Sequence, residues 1–176
     1  MVLISSLLLL VVVTVLALAM FRSYGVEERI AGNVREKQRA IQSAVTAQQY
    51  AEWWLSSGTN ATSAPVVCAA GTVLDANLGQ SQICTPGTAL NSPANYGSWT
   101  GYTKFRPPNM NTTTAGIPDF FVDIPRFYIV DMGTSASTLA EINKVTAVGF
   151  GASQNAVAVV ESTYSLSSGV IDRGGL

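Results

Sequence analysis

The first part of the chain is a long, uninterrupted run of apolar residues. Residues 1–21 carry no charged side chain, and the polar residues among them are only Ser5, Ser6 and Thr14. A helix rises about 1.5 Å per residue, so this stretch would be about 32 Å long, close to the roughly 30 Å hydrocarbon core of a bilayer. The pattern predicts a membrane-spanning helix.

The helical pattern continues beyond Arg22, because the first proline of the chain is Pro65. Apolar residues recur at helical spacings at Val26, Ile30, Val34, Ile41 and Val45, and Leu55 follows. A second stripe consists of small residues, Ala40, Ala44, Ala47 and Ala51, and small side chains let another layer approach a helix closely. We therefore expect one helix over residues 1 to about 55, with its second half packed on a sheet.

Residues 56–118 have a different composition, dominated by glycine, serine, threonine, asparagine and proline. The two cysteines of the chain, Cys68 and Cys84, lie in this segment. We predict an ordered connecting loop closed by a disulfide that formed in an oxidising compartment, with a stabilisation of about 3 kcal/mol. Two free core thiols, or half of a metal site, are the alternatives for this pair.

The same loop carries four aromatic residues, Tyr96, Trp99, Tyr102 and Phe105. Their apolar area would be left in water by a free linker, which favours an ordered segment. One interpretation is that they cap the core of the folded part. The other is that they form an exposed contact surface for a partner or a sugar.

Segments rich in β-branched and aromatic residues begin near Asp119, at 120–122, 127–130, 145–150 and 157–164. The connection between the last two is short, which predicts antiparallel pairing. We expect an α+β fold in which the long helix packs on a small antiparallel sheet of three or four strands, over about residues 119–165. The expected divisions are 1–21, 22–55, 56–118, 119–166 and a tail, 167–176.

Composition narrows the classes of function. The net charge of −1 and the absence of a clustered basic excess argue against a nucleic-acid partner. The chain has no histidine, so the usual general base and the commonest zinc ligand are missing. The sequence also carries no nucleophile elbow, phosphate-binding loop or glycine-rich dinucleotide turn. We expect no enzymatic activity, no metal and no cofactor.

Particular stretches of the sequence resemble the type IV pilins, and within them the PilX group of minor pilins. Residues 1–10 are similar to the start of a mature pilin, and residues 28–33, followed by Arg35-Glu36 and then by Trp53-Trp54-Leu55, are similar to the N-terminal signature of that group. Residues 125–130, 145–149 and 157–164 resemble the strands that close its globular heads. The resemblance implies a ladle-shaped pilin fold.

The same resemblance implies a function in assembly. Met1 would be the processed and methylated N-terminus, and the subunit would cross the inner membrane once, with its head in the periplasm, before entering the pilus. The implied partners are other minor pilins, the major pilin, a tip adhesin, the inner-membrane assembly platform and, before assembly, the lipid bilayer. We expect a minor pilin that primes pilus assembly and becomes part of the filament.

Ser5 departs from the family pattern, because most pilins carry glutamate there. In the family that carboxylate is thought to neutralise the N-terminal amine of a neighbouring subunit inside the apolar filament core. A subunit without it cannot offer this pairing to a subunit above, so we expect a position at or near the tip. The alternative is that serine is tolerated at any minor position, with hydroxyls satisfying helix carbonyls.

Three other interpretations stay open at this point. Ala17-Leu18-Ala19 has the spacing of a signal-peptidase site, which would make the apolar run a cleaved secretory signal. A pseudopilin of a type II secretion system would have the same kind of helix. A membrane-tethered ligand-binding protein would use residues 1–21 merely as an anchor.

Overall fold

The computed structural model describes residues 2–68, 72–86, 96–97, 99, 101–113, 120–136 and 140–167, without the side chains of residues 22–24. Residues Met1–Glu36 and Lys37–Leu176 form two compact units, and each is described by itself.

The expected helix is present as α1, Val2–Ser56. Its end is fixed by polar side chains that satisfy the last carbonyls. The hydroxyls of Ser56 and Ser57 donate to the carbonyl of Trp53, and the side-chain amide of Asn60 donates to the carbonyl of Trp54. These bonds replace the intrahelical partners that the last carbonyls of any helix lack.

The second unit contains a mixed sheet of six strands among the described residues. Three strands have two residues each: β1 Leu74–Asp75, β2 Ile83–Cys84 and β3 Thr103–Lys104. The long strands are β4 Arg126–Thr134, β5 Glu141–Phe150 and β6 Val157–Leu166. The strands follow the order β1-β3-β4-β5-β6, and β2 also pairs with β4.

The α+β fold is confirmed, and the sheet is larger than the sequence predicted. β4, β5 and β6 form the expected antiparallel meander, but β1 pairs with β3, and β2 with β4, in parallel. These short strands come from the segment that we expected to be a loop. The sheet is therefore mixed rather than antiparallel throughout.

The strand expected at residues 120–122 does not form. Phe120 makes only an isolated bridge with Asn111. The backbone amide of Phe121 donates to Asn111, whereas that of Val122 donates to Gly151. Each neighbouring segment thus contributes a single bond that is not repeated along the chain, so no ladder forms. Asp119, where we expected the strands to begin, lies outside the described residues.

One face of the sheet packs against the second half of α1. The alanine stripe, Ala40, Ala44, Ala47 and Ala51, is fully buried. Ala47 and Ala51 belong to a core cluster with Leu55. The sheet contributes Phe127, Ile129, Val145 and Ala147 to this cluster. The small side chains thus do what the sequence predicted, bringing helix and sheet into close contact.

The other face of the sheet carries a second core, because side chains alternate between the faces of a strand. Tyr128, Val148 and Phe150 pack there with Trp99, and Tyr96, Tyr102 and Val122 pack against them. The ring of Trp99 meets that of Tyr128 edge to face, with centroids 4.7 Å apart. Tyr96, Trp99 and Tyr102 therefore cover the sheet face that the helix leaves open.

The predicted disulfide is present between Cys68 and Cys84, whose Cα atoms are 5.3 Å apart. Both cysteines are buried. Nearby, Val66 and Cys84 form a parallel bridge, in which the amides of Val66 and Thr85 donate to the carbonyls of Ile83 and Val66. The disulfide therefore holds the segment after the helix against β2 and, through β2, against β4.

Candidate functional site

The most extensive unusual surface is the apolar side of the first unit. The large apolar residues from Val2 to Phe21 are each 48 to 83% exposed. Soluble domains rarely leave a contiguous apolar surface of this extent in water. Among the described residues, one helix, α1, is long and apolar enough at its N-terminal end to cross a membrane. The segment is therefore suited to lipid or to other apolar helices.

The polar side chains in this apolar segment bond to the helix itself. The hydroxyls of Ser5, Ser6 and Thr14 donate to the carbonyls of Val2, Leu3 and Val11, at 2.8, 2.9 and 2.8 Å. Each bond spans three residues and removes the cost of leaving a hydroxyl unsatisfied in an apolar environment. Ser5 is thus compatible with an apolar surrounding, yet it contributes no charge.

The apolar stripe beyond the membrane segment is also uncovered. Val26, Ile30 and Val34 are 58, 56 and 50% exposed in the first unit, and Ile41 is 41% exposed in the second. They stand among charged residues such as Glu27, Glu28 and Arg29. An apolar stripe bordered by charges on a helix is typical of a surface that packs laterally on another helix.

The other predicted site residues have different surroundings. Met1 lies outside the described residues. Trp99 is only 4% exposed, so it caps the core and offers no partner surface. Tyr96, Tyr102 and Phe105 are half-buried against the two cores, and a contact surface stays a prediction for their outer edges.

Sequence reasoning missed the arrangement around Arg126. Its guanidinium lies over the rings of Tyr102 and Phe150, 4.9 and 5.3 Å from their centroids, and it forms an ion pair with Asp123. These residues are spread over the chain and match no motif. Tyr102 is a candidate contact residue from the sequence, but nothing in the sequence links it to Arg126 or Asp123.

Among the described residues of the second unit, three titratable groups have raised pKa values. Burial, and secondarily the charge of Asp75, raises the pKa of Tyr50, whose hydroxyl donates to the carbonyl of Ala76. Burial also raises the pKa of Tyr128. The hydrogen bond to Glu161 raises the pKa of Lys144, and the two charged groups are 2.8 Å apart. Each shift is explained by burial or by contacts with neighbouring side chains, so we interpret these groups as structural.

Within the described residues, no group of three or more histidine, cysteine, aspartate or glutamate side chains could hold a metal ion. The feature with the clearest functional meaning is therefore the exposed apolar helix. Its side chains are apolar and its hydroxyls bond to its own carbonyls, so its surface suits an apolar environment, whether lipid or protein.

Comparison with known proteins bears on this helix directly. Residues 1–52 match the family model described as PilX N-terminal. No curated protein and no solved structure shows significant similarity to the chain. The match covers the apolar segment, the exposed stripe and the whole alanine stripe. With the apolar helix and the disulfide, it supports the identification of this chain as a type IV pilus minor pilin of the PilX group.

Proposed function

We propose that this subunit primes the assembly of the type IV pilus, becomes part of the filament at or near its tip, and has no enzymatic activity. The observation that carries the proposal is the uncovered apolar surface of α1. Large apolar residues of 2–21 and the stripe at Val26, Ile30 and Val34 are all exposed in the isolated chain. A surface of this kind needs a partner, and it continues well beyond the length that a bilayer covers.

The physical basis of assembly is the replacement of lipid by protein. Residues 2–21 are as apolar as lipid chains, so transferring them into a bundle of sister helices costs little. The stripe beyond them is in water before assembly, and its burial is favourable by about 25 cal/mol per Å² of apolar surface. The stripe therefore supplies a driving force that the membrane segment alone does not.

The proposed position at the tip rests on Ser5. In related pilins a carboxylate at this place is thought to pair with the N-terminal amine of the neighbouring subunit, and serine cannot provide that charge. Here the hydroxyl of Ser5 is already engaged with the carbonyl of Val2. A subunit that cannot pair with a subunit above it fits the end of the filament, together with other minor pilins and a tip adhesin.

The test is to place Ser5→Glu and Ser5→Ala variants in cells and to locate the subunit on pili by immunogold labelling. We expect the wild type and Ser5→Ala at the tip, and Ser5→Glu at additional places along the shaft. Labelling of the shaft to the same degree in all three would refute the tip position. Ser5→Ala is the matched control because it removes the hydroxyl without adding a carboxylate.

Deletion of the gene separates this function from the two related alternatives. Loss of surface pili with normal protein secretion is expected for a minor pilin. Blocked secretion with normal pili would identify a type II secretion pseudopilin instead. A membrane-tethered binding protein would stay in the membrane fraction when surface filaments are sheared off, whereas a pilus subunit would appear with the filaments.

A further inference from the structure

A pocket lies beside the second core, close to the start of β4. Its cavity volume is about 350 Å³, and its lining includes Tyr96, Val122, Asp123, Arg126, Phe150 and Gln154. Ligand pockets in proteins have volumes of about 300–1,000 Å³, so this one has room for a small ligand or a single ring of a larger one. The pocket belongs to the second unit and takes no part in the helix surface described above.

The charged groups of the pocket neutralise each other. Arg126 donates to Asp123 as an ion pair, and the second carboxylate oxygen of Asp123 accepts a hydrogen bond from the amide of Ile124 at 2.7 Å. The side chain of Asp123 is nonetheless 39% exposed, compared with 18% for Arg126. The carboxylate thus remains accessible for further hydrogen bonds, while the pocket as a whole carries no net charge.

The apolar part of the lining is aromatic. The rings of Tyr96 and Phe150 meet edge to face, with centroids 5.8 Å apart and planes inclined by 72°. Phe150 is also one of the two rings beneath the guanidinium of Arg126. This packing holds the rings and the charged pair in fixed positions, which reduces the entropy lost when a ligand binds.

The arrangement disfavours charged ligands of either sign. An anion would be repelled by the carboxylate of Asp123, which is more exposed than the guanidinium of Arg126. A cation would have to compete with Arg126 both for the ring of Phe150 and for the carboxylate. A purely apolar ligand is also disfavoured, because it would cover the carboxylate and the amide of Gln154 without satisfying them.

We propose that this pocket binds a neutral sugar ring. A sugar presents an apolar C–H face that suits the aromatic lining and a rim of hydroxyls that suits the polar groups. Asp123 accepts hydrogen bonds from hydroxyls, and the exposed amide of Gln154 both donates and accepts. The proposal is independent of pilus assembly, since the pocket shares no residue with the exposed helix surface.

The test is saturation-transfer NMR on the full-length chain in detergent micelles. The probes are the methyl glycosides of glucose, galactose and N-acetylglucosamine, with methyl glucuronide as an anionic sugar and N-acetylalanine amide as a neutral peptide unit. We expect transfer to at least one neutral glycoside and none to the other two probes. Gln154→Ala should weaken that binding about fivefold, as expected for the loss of one hydrogen bond.

Two further variants make the test specific. Asn155→Ala changes an exposed residue of the same turn that does not line the pocket, so it should bind as the wild type does. Asp123→Asn removes the negative charge that repels anions, and we expect it to bind methyl glucuronide, which the wild type does not. The proposal is overturned if no neutral glycoside binds, if Gln154→Ala binds as well as Asn155→Ala, or if the peptide amide binds more tightly than the sugars.

Discussion

Gly149 on β5 lies directly against the backbone of Ala44 on α1. A Cβ atom added to Gly149 would be 2.1 Å from the backbone nitrogen of Ala44 and 2.4 Å from the carbonyl oxygen of Ala40. Real Cβ atoms do not approach backbone atoms this closely, so the helix and the sheet are in contact at the minimum possible separation. Both sides of the contact require small residues, glycine on the strand and alanine on the helix.

Gly149→Ala is therefore expected to destabilise the protein severely. Overpacking a core costs about 1–3 kcal/mol when side chains can rearrange, and here the clash is with backbone, so we expect about 3 kcal/mol or more. The measurement is thermal unfolding of the full-length chain in detergent, followed by circular dichroism. Gly97→Ala is the control, because a Cβ there meets nothing within 4 Å. Equal stability of the two variants would contradict the close contact.

Trp99 and Trp53 form a matched pair for the second core. Trp99 is 4% exposed and packs on Tyr128, whereas Trp53 is 60% exposed near the end of α1. We expect Trp99→Ala to lower the free energy of unfolding by about 3–5 kcal/mol. Trp53→Ala should change it by about 0.5 kcal/mol or less. Denaturant titrations of both variants give the comparison, and a larger effect at Trp53 would show that the aromatic segment does not cover a core.

Stability should decrease at alkaline pH. The pKa values of Tyr50, Tyr128 and Lys144 are raised in the folded state, so the folded protein holds these protons more tightly than the unfolded chain. The stability that these protons contribute is fully present below the pKa values of the unfolded chain, 10.0 for tyrosine and 10.5 for lysine. It is lost as the pH rises through the pKa values of the folded state. Denaturant midpoints measured from neutral to strongly alkaline pH should be level and then fall. Tyr128→Phe should remove part of the fall, and an unchanged profile would exclude a contribution from this residue.

Ile30 offers a test of the stripe on the first unit. It is 56% exposed, so Ile30→Asp should change the stability of the isolated subunit by about 0.5 kcal/mol or less. In a filament the same carboxylate would be buried against another helix, and we expect incorporation to fail. The amount of subunit in sheared pili measures this. Ile30→Leu keeps the apolar character at the same position and should be incorporated normally; failure of both variants would mean that shape, rather than burial of apolar surface, decides the outcome.

The parts of the fold that could be predicted are those whose hydrophobic pattern extends over many residues. α1 showed its apolar and alanine stripes over many turns, and β4, β5 and β6 are runs of β-branched and aromatic residues. The two-residue strands β1, β2 and β3 are too short to show any period, and their parallel pairings join distant segments. Residues 120–122 had the composition of a strand, but their hydrogen bonds to Asn111 and Gly151 are single bonds that are not repeated along the chain.

The functional surfaces, like the fold, divide into a part that the sequence predicts and a part that it does not. The apolar surface of α1 could be predicted because its residues are continuous in sequence. The pocket around Arg126 could not, because Tyr96, Asp123 and Phe150 come together only in the folded chain. Gly149 did carry a signal, since a glycine within a strand often marks a close approach of another backbone. The alanine stripe and Gly149 together would have located the contact between helix and sheet.

The position of the disulfide has a consequence for the order in which the protein matures. Cys68 and Cys84 are 16 residues apart, whereas β4, the strand that β2 joins, begins only at Arg126. Oxidation of these cysteines requires only the chain as far as Cys84, so it can precede the pairing of β2 with β4. The covalent ring would then present β2 as a preformed edge, which lowers the entropic cost of the later, long-range pairing.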